Sequence, residues 1–418
     1  MTLNSFKSTY LFLFFLMIFQ LISCAQTQKS TIKKVEKEVL AVKTGAEQTN
    51  LYLDLLKGKN IAIVANQTSI LTVLQRAEVA PNVMGSKKVT HHLVDYLHNY
   101  NGIKINKVFA PEHGFRGNAD AGEAIKDGFD TKTGLPIISL YGKNKKPSAK
   151  QLEGIDVVVF DIQDVGARFY TYISSLHYVM EACAENGIPL IILDRPNPNG
   201  LYIDGPILEL EYKSFVGMHK VPVVYGMTIG EYGQMINGEK WLENGIQCDL
   251  TVIPIQNYTH DFEYSLPVKP SPNLPNDKSI NLYPSLCFFE GTNVSAGRGT
   301  DMQFQVYGSP YLERTAFYFV PQSNEGAKNP KHRNKNCYGE DLREIESLNQ
   351  LNLRWLIKAY KQTHTSGNFF NSFFTKLAGT TKLQQQIEQG LSEDEIRTSW
   401  QKDLAAFKEV RKKYLIYE

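Results

Sequence analysis

The stretch Asp156-Val-Val-Val-Phe-Asp161 decides the fold of this 418-residue chain. Its four central residues are apolar and mostly β-branched, which is typical of a strand buried on both faces of a parallel sheet. Helical spacing follows at Tyr170–Asn186 and stops at Gly187, a residue common just past a helix end. The run Ile188-Pro-Leu-Ile-Ile-Leu193 predicts the next strand. Strands that alternate with helices predict a parallel, doubly wound α/β sheet.

The same alternation continues upstream of that stretch and changes downstream of it. The further predicted elements are strands at Asn60–Ala65, Ile105–Phe109 and Leu135–Leu140 and a helix at His91–Tyr100. From about residue 215, Pro, Gly and aromatic residues dominate, and helical spacing returns at Leu342–Leu348, Leu353–Lys361 and Leu383–Gly390. We therefore expect a Rossmann-like catalytic domain at residues 49–212 and a smaller α+β auxiliary domain at residues 213–418.

The N-terminus has the pattern of an export signal. Lys7 precedes an apolar run, Tyr10–Phe19, that is shorter than the roughly 20 residues of a membrane span. The run ends in Leu21-Ile-Ser-Cys24, which resembles the bacterial lipobox. We expect residues 1–23 to be a lipoprotein signal peptide, Cys24 to carry the lipid, and residues 24–48 to be a flexible tether. The protein is then exported and anchored to the bacterial membrane, facing the periplasm; a plain secretory signal is the alternative.

Composition excludes several classes of protein. The chain has 45 Lys+Arg and 43 Asp+Glu, and this near-balance argues against a nucleic-acid partner. It lacks G-x-G-x-x-G after the first strand and lacks G-x-x-x-x-G-K-[ST], so we predict no nucleotide cofactor. The remaining cysteines are far apart and form no C-x-x-C pair, which predicts buried free thiols rather than a metal site, with one disulfide as the alternative. These are Cys183, Cys248, Cys287 and Cys337.

The first candidate site is the turn Pro111-Glu-His-Gly-Phe-Arg-Gly117. Ligands of open α/β sheets bind beyond the carboxyl ends of the strands, and this turn follows a predicted strand. Pro and Gly favour a tight turn that presents Glu112 and His113 at the sheet edge, with Arg116 close behind. Glu112 can act as a general acid if burial raises its pKa. Otherwise Glu112 caps the turn and His113 bonds a backbone carbonyl.

The second candidate is Asp161-Ile-Gln-Asp-Val-Gly-Ala-Arg168, at the end of the clearest strand. Paired acids such as Asp161 and Asp164 can bind a metal, orient a sugar hydroxyl or stabilise an oxocarbenium-like transition state. Arg168 can bind a substrate carboxylate through two hydrogen bonds. Alternatively, Asp164 and Arg168 form an ordinary ion pair at a helix start. The polar turn at Asn66, which follows the first strand, is a candidate for the same edge.

Loops supply the remaining candidates. Ala119-Asp-Ala-Gly-Glu123 suggests a loop folding over the site with Glu123, although a helix start explains it equally well. In the second half, Pro turns and a Gly-rich stretch suggest a cleft between domains, where small ligands usually bind, or else solvated loops. They carry Asn273, Glu290, Asn293, Arg298 and Asp301.

Ten ordered motifs run along the chain. They are Ala65–Ser69, Pro111–Gly117, Ala121–Glu123, Thr133–Ile137, Asp156–Tyr172, Leu193–Pro198, Ser214–Gly217, Tyr225–Glu231, Pro270–Pro275 and Phe289–Ser295. Taken together, these segments resemble the NamZ-like exo-β-N-acetylmuramidase family over roughly residues 50–418. One departure from the family's pattern is a longer, basic segment between Asn66 and His91 that contains Lys87 and Lys88.

The resemblance implies release of N-acetylmuramic acid from the non-reducing ends of peptidoglycan fragments, in cell-wall recycling. It implies that Glu112 is the catalytic acid, with Asp161, Asp164 or the substrate's own 2-acetamido oxygen at the anomeric centre. We expect Arg168, Asn273 and Arg298 to bind the lactyl carboxylate and the acetamido group. The other expected sugar-binding residues are Asn66, His113, Arg116, Glu123, Glu290 and Asn293.

Two alternatives of a different class remain at this stage. One is a metal-dependent hydrolase that uses His113, Asp161 and Asp164 as ligands. The other is a non-catalytic lipoprotein that binds cell-wall sugars. We prefer the glycosidase, which needs neither a metal nor a cofactor, because acids converge at a strand edge that suits pKa tuning.

Overall fold

The computed structural model describes residues 40–80, 83–116, 127–363 and 368–417. Residues 42–418 form one compact unit. The predicted signal peptide, Cys24 and Glu123 lie outside the described residues. The division into domains at residues 212 and 213 stays a prediction.

A seven-stranded sheet forms the centre of the unit, in the order β5-β6-β4-β1-β7-β8-β9. All neighbouring strands pair in parallel except β5 with β6, which are antiparallel. The strands are β1 Asn60–Ala65, β2 Ile70–Ala80, β3 Val83–His92, β4 Lys104–Ala110, β5 Gly128–Phe129, β6 Pro136–Ser139, β7 Val157–Asp161, β8 Leu190–Leu193, β9 Leu250–Ile253, β10 Val306–Ser309, β11 Tyr318–Phe319 and β12 Cys337–Asp341.

Helices cover both faces of this sheet. The helices are α1 Thr49–Leu56, α2 Leu93–His98, α3 Ala149–Leu152, α4 Tyr172–Glu185, α5 Ile229–Gly238, α6 Asp277–Leu286, α7 Arg354–Thr363, α8 Phe373–Ala378, α9 Lys382–Glu388, α10 Glu393–Ser399 and α11 Gln401–Lys412. Alternate residues of β7 enter two cores: Val158 and Phe160 pack with α4 and α5, and Val157 and Val159 pack with α1 and α2. Burial of each such side chain stabilises the fold by about 1.5–3 kcal/mol. The predicted doubly wound α/β class is confirmed.

Residues from the second half of the chain extend the central sheet and add a smaller one. β9 pairs with β8, so the sheet continues past residue 213. A three-stranded antiparallel sheet, β10-β12-β11, and helices α6 to α11 complete this half. The predicted helices at Leu353–Lys361 and Leu383–Gly390 are confirmed.

The predicted helix at Leu342–Leu348 is wrong. The N–H of Leu342 donates to the carbonyl of Gln305, and that of Leu348 donates to the side chain of Asn281. These backbone groups bond to distant parts of the chain, so the segment is irregular despite its apolar spacing.

The basic segment after β1 is an antiparallel hairpin of β2 and β3. Lys87 and Lys88 are exposed on it, and neither contributes to the cavity wall described below. The hairpin was missed because successive described residues on both strands, Leu74–Arg76 and Ser86–Lys88, are exposed, which leaves no alternation of apolar and polar residues to detect.

The four cysteines of the described region are free and buried, as predicted. Among the described residues, no helix combines the length and apolar character that crossing a membrane requires.

Candidate active site

The site is built at the carboxyl end of β4, where the chain turns sharply. The N–H of Gly114 donates to the carbonyl of Pro111 at 3.1 Å, which closes a four-residue turn. His113 and Gly114 both adopt left-handed backbone conformations, with φ of 70° and 78°. For a residue with a side chain this conformation costs about 1–2 kcal/mol, and such strain clusters at functional sites. The turn places Glu112 and His113 in the wall of a cavity.

Two hydroxyl groups hold the Glu112 carboxylate. Thr171 Oγ1, at the residue preceding α4, donates to Glu112 Oε2 at 2.7 Å. The hydroxyl of Tyr141, just after β6, also bonds the carboxylate. Burial, with added contributions from Glu112, raises the pKa of Tyr141 well above its usual value. These two hydrogen bonds fix the direction of the Glu112 carboxyl group, and their donors follow two other strands of the sheet, β6 and β7.

The cavity has a volume of about 550 Å³, which is within the range of small-ligand sites. Its wall is part apolar and part polar, an arrangement suited to the two faces of a sugar ring. The sheet edge contributes Glu112, His113, Tyr141 and Phe169–Tyr172. The second half of the chain contributes Ser271, Asn273, Tyr283, Cys287, Glu290, Arg298, Phe304, Asn329, Lys331 and Phe373.

Charged groups from the second half are held in fixed positions in this wall. Arg298 Nε donates to Glu290 Oε1 at 2.6 Å. Lys331 Nζ donates to the main-chain carbonyls of Phe289, Thr292 and Val294 at 2.5–3.0 Å. Burial lowers the pKa of Lys331 to about 8.

The wall also offers an amide oxygen. Asn273 is buried, and its Nδ2 donates to the carbonyl of Gly326 at 2.7 Å. Its Oδ1 has no hydrogen-bond partner within the described part of the chain. A buried acceptor without a partner in the protein calls for an explanation, and a ligand N–H bound in the cavity would supply the missing bond.

Five of the predicted site residues come together in this wall: Glu112, His113, Asn273, Glu290 and Arg298.

The two predicted acids Asp161 and Asp164 do not lie in this wall. Asp161 is completely buried and accepts two hydrogen bonds from Arg195, at 2.6 and 2.9 Å. Asp164 accepts from the Tyr225 hydroxyl and, at 2.8 Å, from the Gly166 N–H. Burial raises the pKa of Asp164 to about 6. The structure thus gives both acids places inside the protein rather than at the cavity.

Arg168 is also placed differently from the expectation. It is fully buried, and its terminal nitrogens donate to the carbonyls of Pro206, Val221, Leu377 and Ala378 at 2.7–2.9 Å. Since Nη1 and Nη2 are both engaged by backbone, the guanidinium joins distant segments instead of binding a substrate carboxylate. It also forms no ion pair with Asp164.

Three further predicted residues lie outside the wall. Asn66 Nδ2 donates to the Tyr172 hydroxyl at 2.8 Å, so Asn66 supports the start of α4. Arg116 bonds Asp95 and Asp130, at 2.8–3.1 Å, and holds the chain just beyond the Glu112 turn. The carbonyl of Asn293 accepts from His332 Nε2 at 2.6 Å.

Sequence reasoning missed Tyr141, Thr171 and Lys331. Tyr141 directly follows a predicted strand, and Thr171 lies inside a quoted motif, so the strand-end rule applied more widely would have found both. Lys331 lies in a loop without any periodic or motif signal, and only its three-dimensional contacts reveal it.

The alternative metal site is not assembled. His113, Asp161 and Asp164 do not form a metal-ligating cluster in the described residues. The acidic cluster found there is Glu181, Glu185 and Glu243, and the ammonium of Lys146 already bonds the first two at 2.9 and 2.6 Å.

Fold and site together define an α/β enzyme with a buttressed carboxyl group in a sugar-sized cavity at the sheet edge. Two family models match the chain: the N-terminal part of the exo-β-N-acetylmuramidase NamZ over residues 61–278, and its C-terminal part over residues 281–417. The chain belongs to this NamZ family, and it is a glycosidase. The predicted resemblance is confirmed.

Individual relatives support this family assignment. The chain is 37% identical over 440 residues to the peptidoglycan β-N-acetylmuramidase NamZ of Bacillus subtilis (strain 168), covering 98% of this chain and 100% of that protein. Two solved structures of DUF1343 family proteins from Bacteroides fragilis NCTC 9343 are similar to it. One is 46% identical with a TM-score of 0.79, and the other is 27% identical with a TM-score of 0.73. Each match covers 90% of this chain and 99% of the solved chain.

Proposed function

We propose that this glycosidase releases N-acetylmuramic acid from the non-reducing ends of peptidoglycan fragments, with Glu112 as general acid. The observation that carries the proposal is the Glu112 carboxyl group in the cavity wall, oriented by Thr171 at 2.7 Å. A proton donor must reach the bridging oxygen in a defined direction, and this hydrogen bond supplies that direction.

In the proposed reaction, protonated Glu112 gives its proton to the bridging oxygen as the bond from C1 to that oxygen breaks. Water then adds to C1, and a proton from the water restores the Glu112 carboxyl group. The terminal muramoyl unit leaves as the free sugar, and the shortened fragment keeps the former bridging oxygen as a hydroxyl group.

The anomeric centre needs a second group to stabilise its positive charge. Asp161 and Asp164 lie away from the cavity wall, which favours the substrate's own 2-acetamido oxygen. Asn273 supports this role because its buried Oδ1 lacks a partner among the described residues and can accept the acetamido N–H. Such a hydrogen bond holds the acetamido group beneath C1.

Product analysis tests the proposal. The protein is incubated with a muramoyl-N-acetylglucosamine disaccharide and with longer glycans that end in muramic acid, and products are separated by liquid chromatography and identified by mass. We expect equal amounts of the two monosaccharides from the disaccharide, and only terminal muramic acid from glycans at early times. Release of internal fragments, or no release at all, would overturn the proposal.

We also propose export and lipid attachment at Cys24, since the lipobox-like Leu21-Ile-Ser-Cys24 follows a short apolar run. The test expresses the full chain and its Cys24→Ala variant in a bacterium fed a radioactive fatty acid. Label and membrane association are expected for the parent alone. Equal behaviour of the two proteins would contradict lipid attachment.

A further inference from the structure

The described part of the cavity wall has a net positive charge when Glu112 is protonated. Arg298 and Lys331 are the Lys and Arg residues among its described lining residues, and Glu112 and Glu290 are the acids. When Glu112 holds the proton that it donates, the count is +2 from the cations and −1 from Glu290, or +1. One negative charge on a ligand balances the wall.

The position of the Arg298 guanidinium suits the binding of a planar anion. Its Nε donates to Glu290 Oε1 at 2.6 Å, and the guanidinium lies 5.4 Å from the centre of the Phe304 ring. These two contacts fix the plane of the group. No described residue accepts a hydrogen bond from Nη1 or Nη2. A fixed guanidinium with two available nitrogens matches the two oxygens of a carboxylate.

Lys331 contributes in a different way. Its three carbonyl contacts, with Phe289, Thr292 and Val294, use all three of its N–H groups. It therefore adds charge to the wall without offering a hydrogen bond. The same contacts hold the segment that carries Glu290, and so they help to fix the acid that aligns Arg298.

We propose that Nη1 and Nη2 of Arg298 bind the lactyl carboxylate of the terminal muramoyl unit, with Glu290 as a positioning residue and Lys331 as a supporting charge. The assignment rests on the proposed function and deepens it. The enzyme selects muramoyl ends over N-acetylglucosaminyl ends by charge, because a fixed guanidinium left without its partner in a half-closed site is costly.

The test compares three 4-nitrophenyl β-glycosides in the wild-type protein: N-acetylmuramic acid, its lactyl methyl ester and N-acetylglucosamine. The ester keeps the size of the lactyl group and removes its charge. We expect kcat/KM for the acid to exceed that for the ester by about 100-fold or more, which is in the range of a lost bidentate ion pair.

Substitutions then identify the residues that produce the preference for the acid over the ester. Arg298→Gln should bring the ratio of kcat/KM for acid and ester close to one, and Arg298→Lys should give an intermediate ratio. Glu290→Leu should lower the ratio, and Glu290→Gln should restore most of it because its amide oxygen still accepts from Nε. Arg343→Gln removes an exposed cation that pairs with Asp341 outside the cavity wall, and it should leave the ratio unchanged.

Equal rates on acid and ester in the wild-type protein would overturn this inference while leaving the proposed function intact, since the muramoyl unit is still released. An unchanged ratio in soluble, folded Arg298→Gln would also overturn it. Failure of the wild-type protein to cleave any muramoyl substrate would instead overturn the proposed function, and this inference with it.

Discussion

The hydroxyl of Thr171 donates a 2.7 Å hydrogen bond to the carboxylate of Glu112. The two residues are 59 positions apart in the chain and come from the ends of different strands. β4 delivers Glu112, and the segment between β7 and α4 delivers Thr171. The parallel sheet brings these ends to one edge, which explains why a doubly wound fold can assemble the site from distant motifs.

Thr171→Val should reduce kcat/KM about 10-fold, because valine has the shape of threonine but cannot donate to Glu112. A hydrogen bond to a charged group contributes about 1.5–3 kcal/mol. The valine variant loses part of this contribution in the transition state, which corresponds to the expected decrease in kcat/KM. Steady-state kinetics on the muramoyl disaccharide measures the effect. Thr171→Ser keeps the hydroxyl and is the matched control. Equal loss in both variants would mean that the hydroxyl does not position the acid.

Arg168→Met should reduce the free energy of unfolding by about 3 kcal/mol. The change leaves four buried carbonyls, those of Pro206, Val221, Leu377 and Ala378, without their donors. Urea unfolding followed by circular dichroism measures it. Arg343→Met, at an exposed ion pair, should change stability by less than about 0.5 kcal/mol. Full stability combined with weak substrate binding in Arg168→Met would contradict the structural role.

Two buried histidines should contribute stability that is lost as the pH decreases from about 6.5 towards 4. Burial raises the pKa of Asp164 to about 6 and that of Asp194 to about 7, which acts in the opposite direction over this window, so the histidine contribution is measured as a difference between two proteins. Burial lowers the pKa of His177 to about 4 and holds that of His219 well below its usual value. Unfolded histidines titrate near pH 6.5, so in this window these two groups bind more protons in the unfolded chain, and through them acid favours unfolding. Each histidine contributes up to about 1.4 kcal/mol per pH unit.

Urea unfolding at pH 7.5, 6.0 and 5.0 measures how the free energy of unfolding depends on pH. His219→Gln removes one of the two groups, so we expect unfolding of this variant to take up close to one proton fewer than unfolding of the wild-type protein. The difference in free energy of unfolding between the two proteins should stay constant between pH 7.5 and 8.5, which is the internal control, since neither histidine titrates there. Lys331, whose pKa burial lowers to about 8, titrates in both proteins alike. Identical slopes in the variant and the wild-type protein would contradict the assignment.

The central sheet was predictable from sequence because its strands are continuous apolar runs bounded by polar turns. β1, β4, β6, β7 and β8 all lie within the predicted segments or within one residue of them. β9 was missed because it is only partly buried: of its four residues Ile253 alone is buried, and Thr251 is exposed. Its place in the sheet depends on pairing with β8, which local pattern does not reveal.

The site was predictable only in part, for a related reason. The strand-end rule places Glu112 correctly, but it treats all polar residues at strand ends alike. Asp161 and Arg168 are at the right edge, yet they face Arg195 and backbone carbonyls inside the protein. Side-chain direction depends on packing from distant segments, and the sequence pattern carries no information about it.

The most direct test of the central claim compares how far the activity of Glu112→Gln falls on substrates with different leaving groups. A sugar leaving group needs a proton, whereas 2,4-dinitrophenolate leaves without one. General acid catalysis typically contributes 10²–10⁴-fold. We therefore expect Glu112→Gln to lose about 1,000-fold in kcat/KM on the muramoyl disaccharide and less than about 10-fold on 2,4-dinitrophenyl N-acetylmuramide. Full activity on the disaccharide, or equal loss on both substrates in a folded variant, would contradict the assignment of Glu112 as the proton donor.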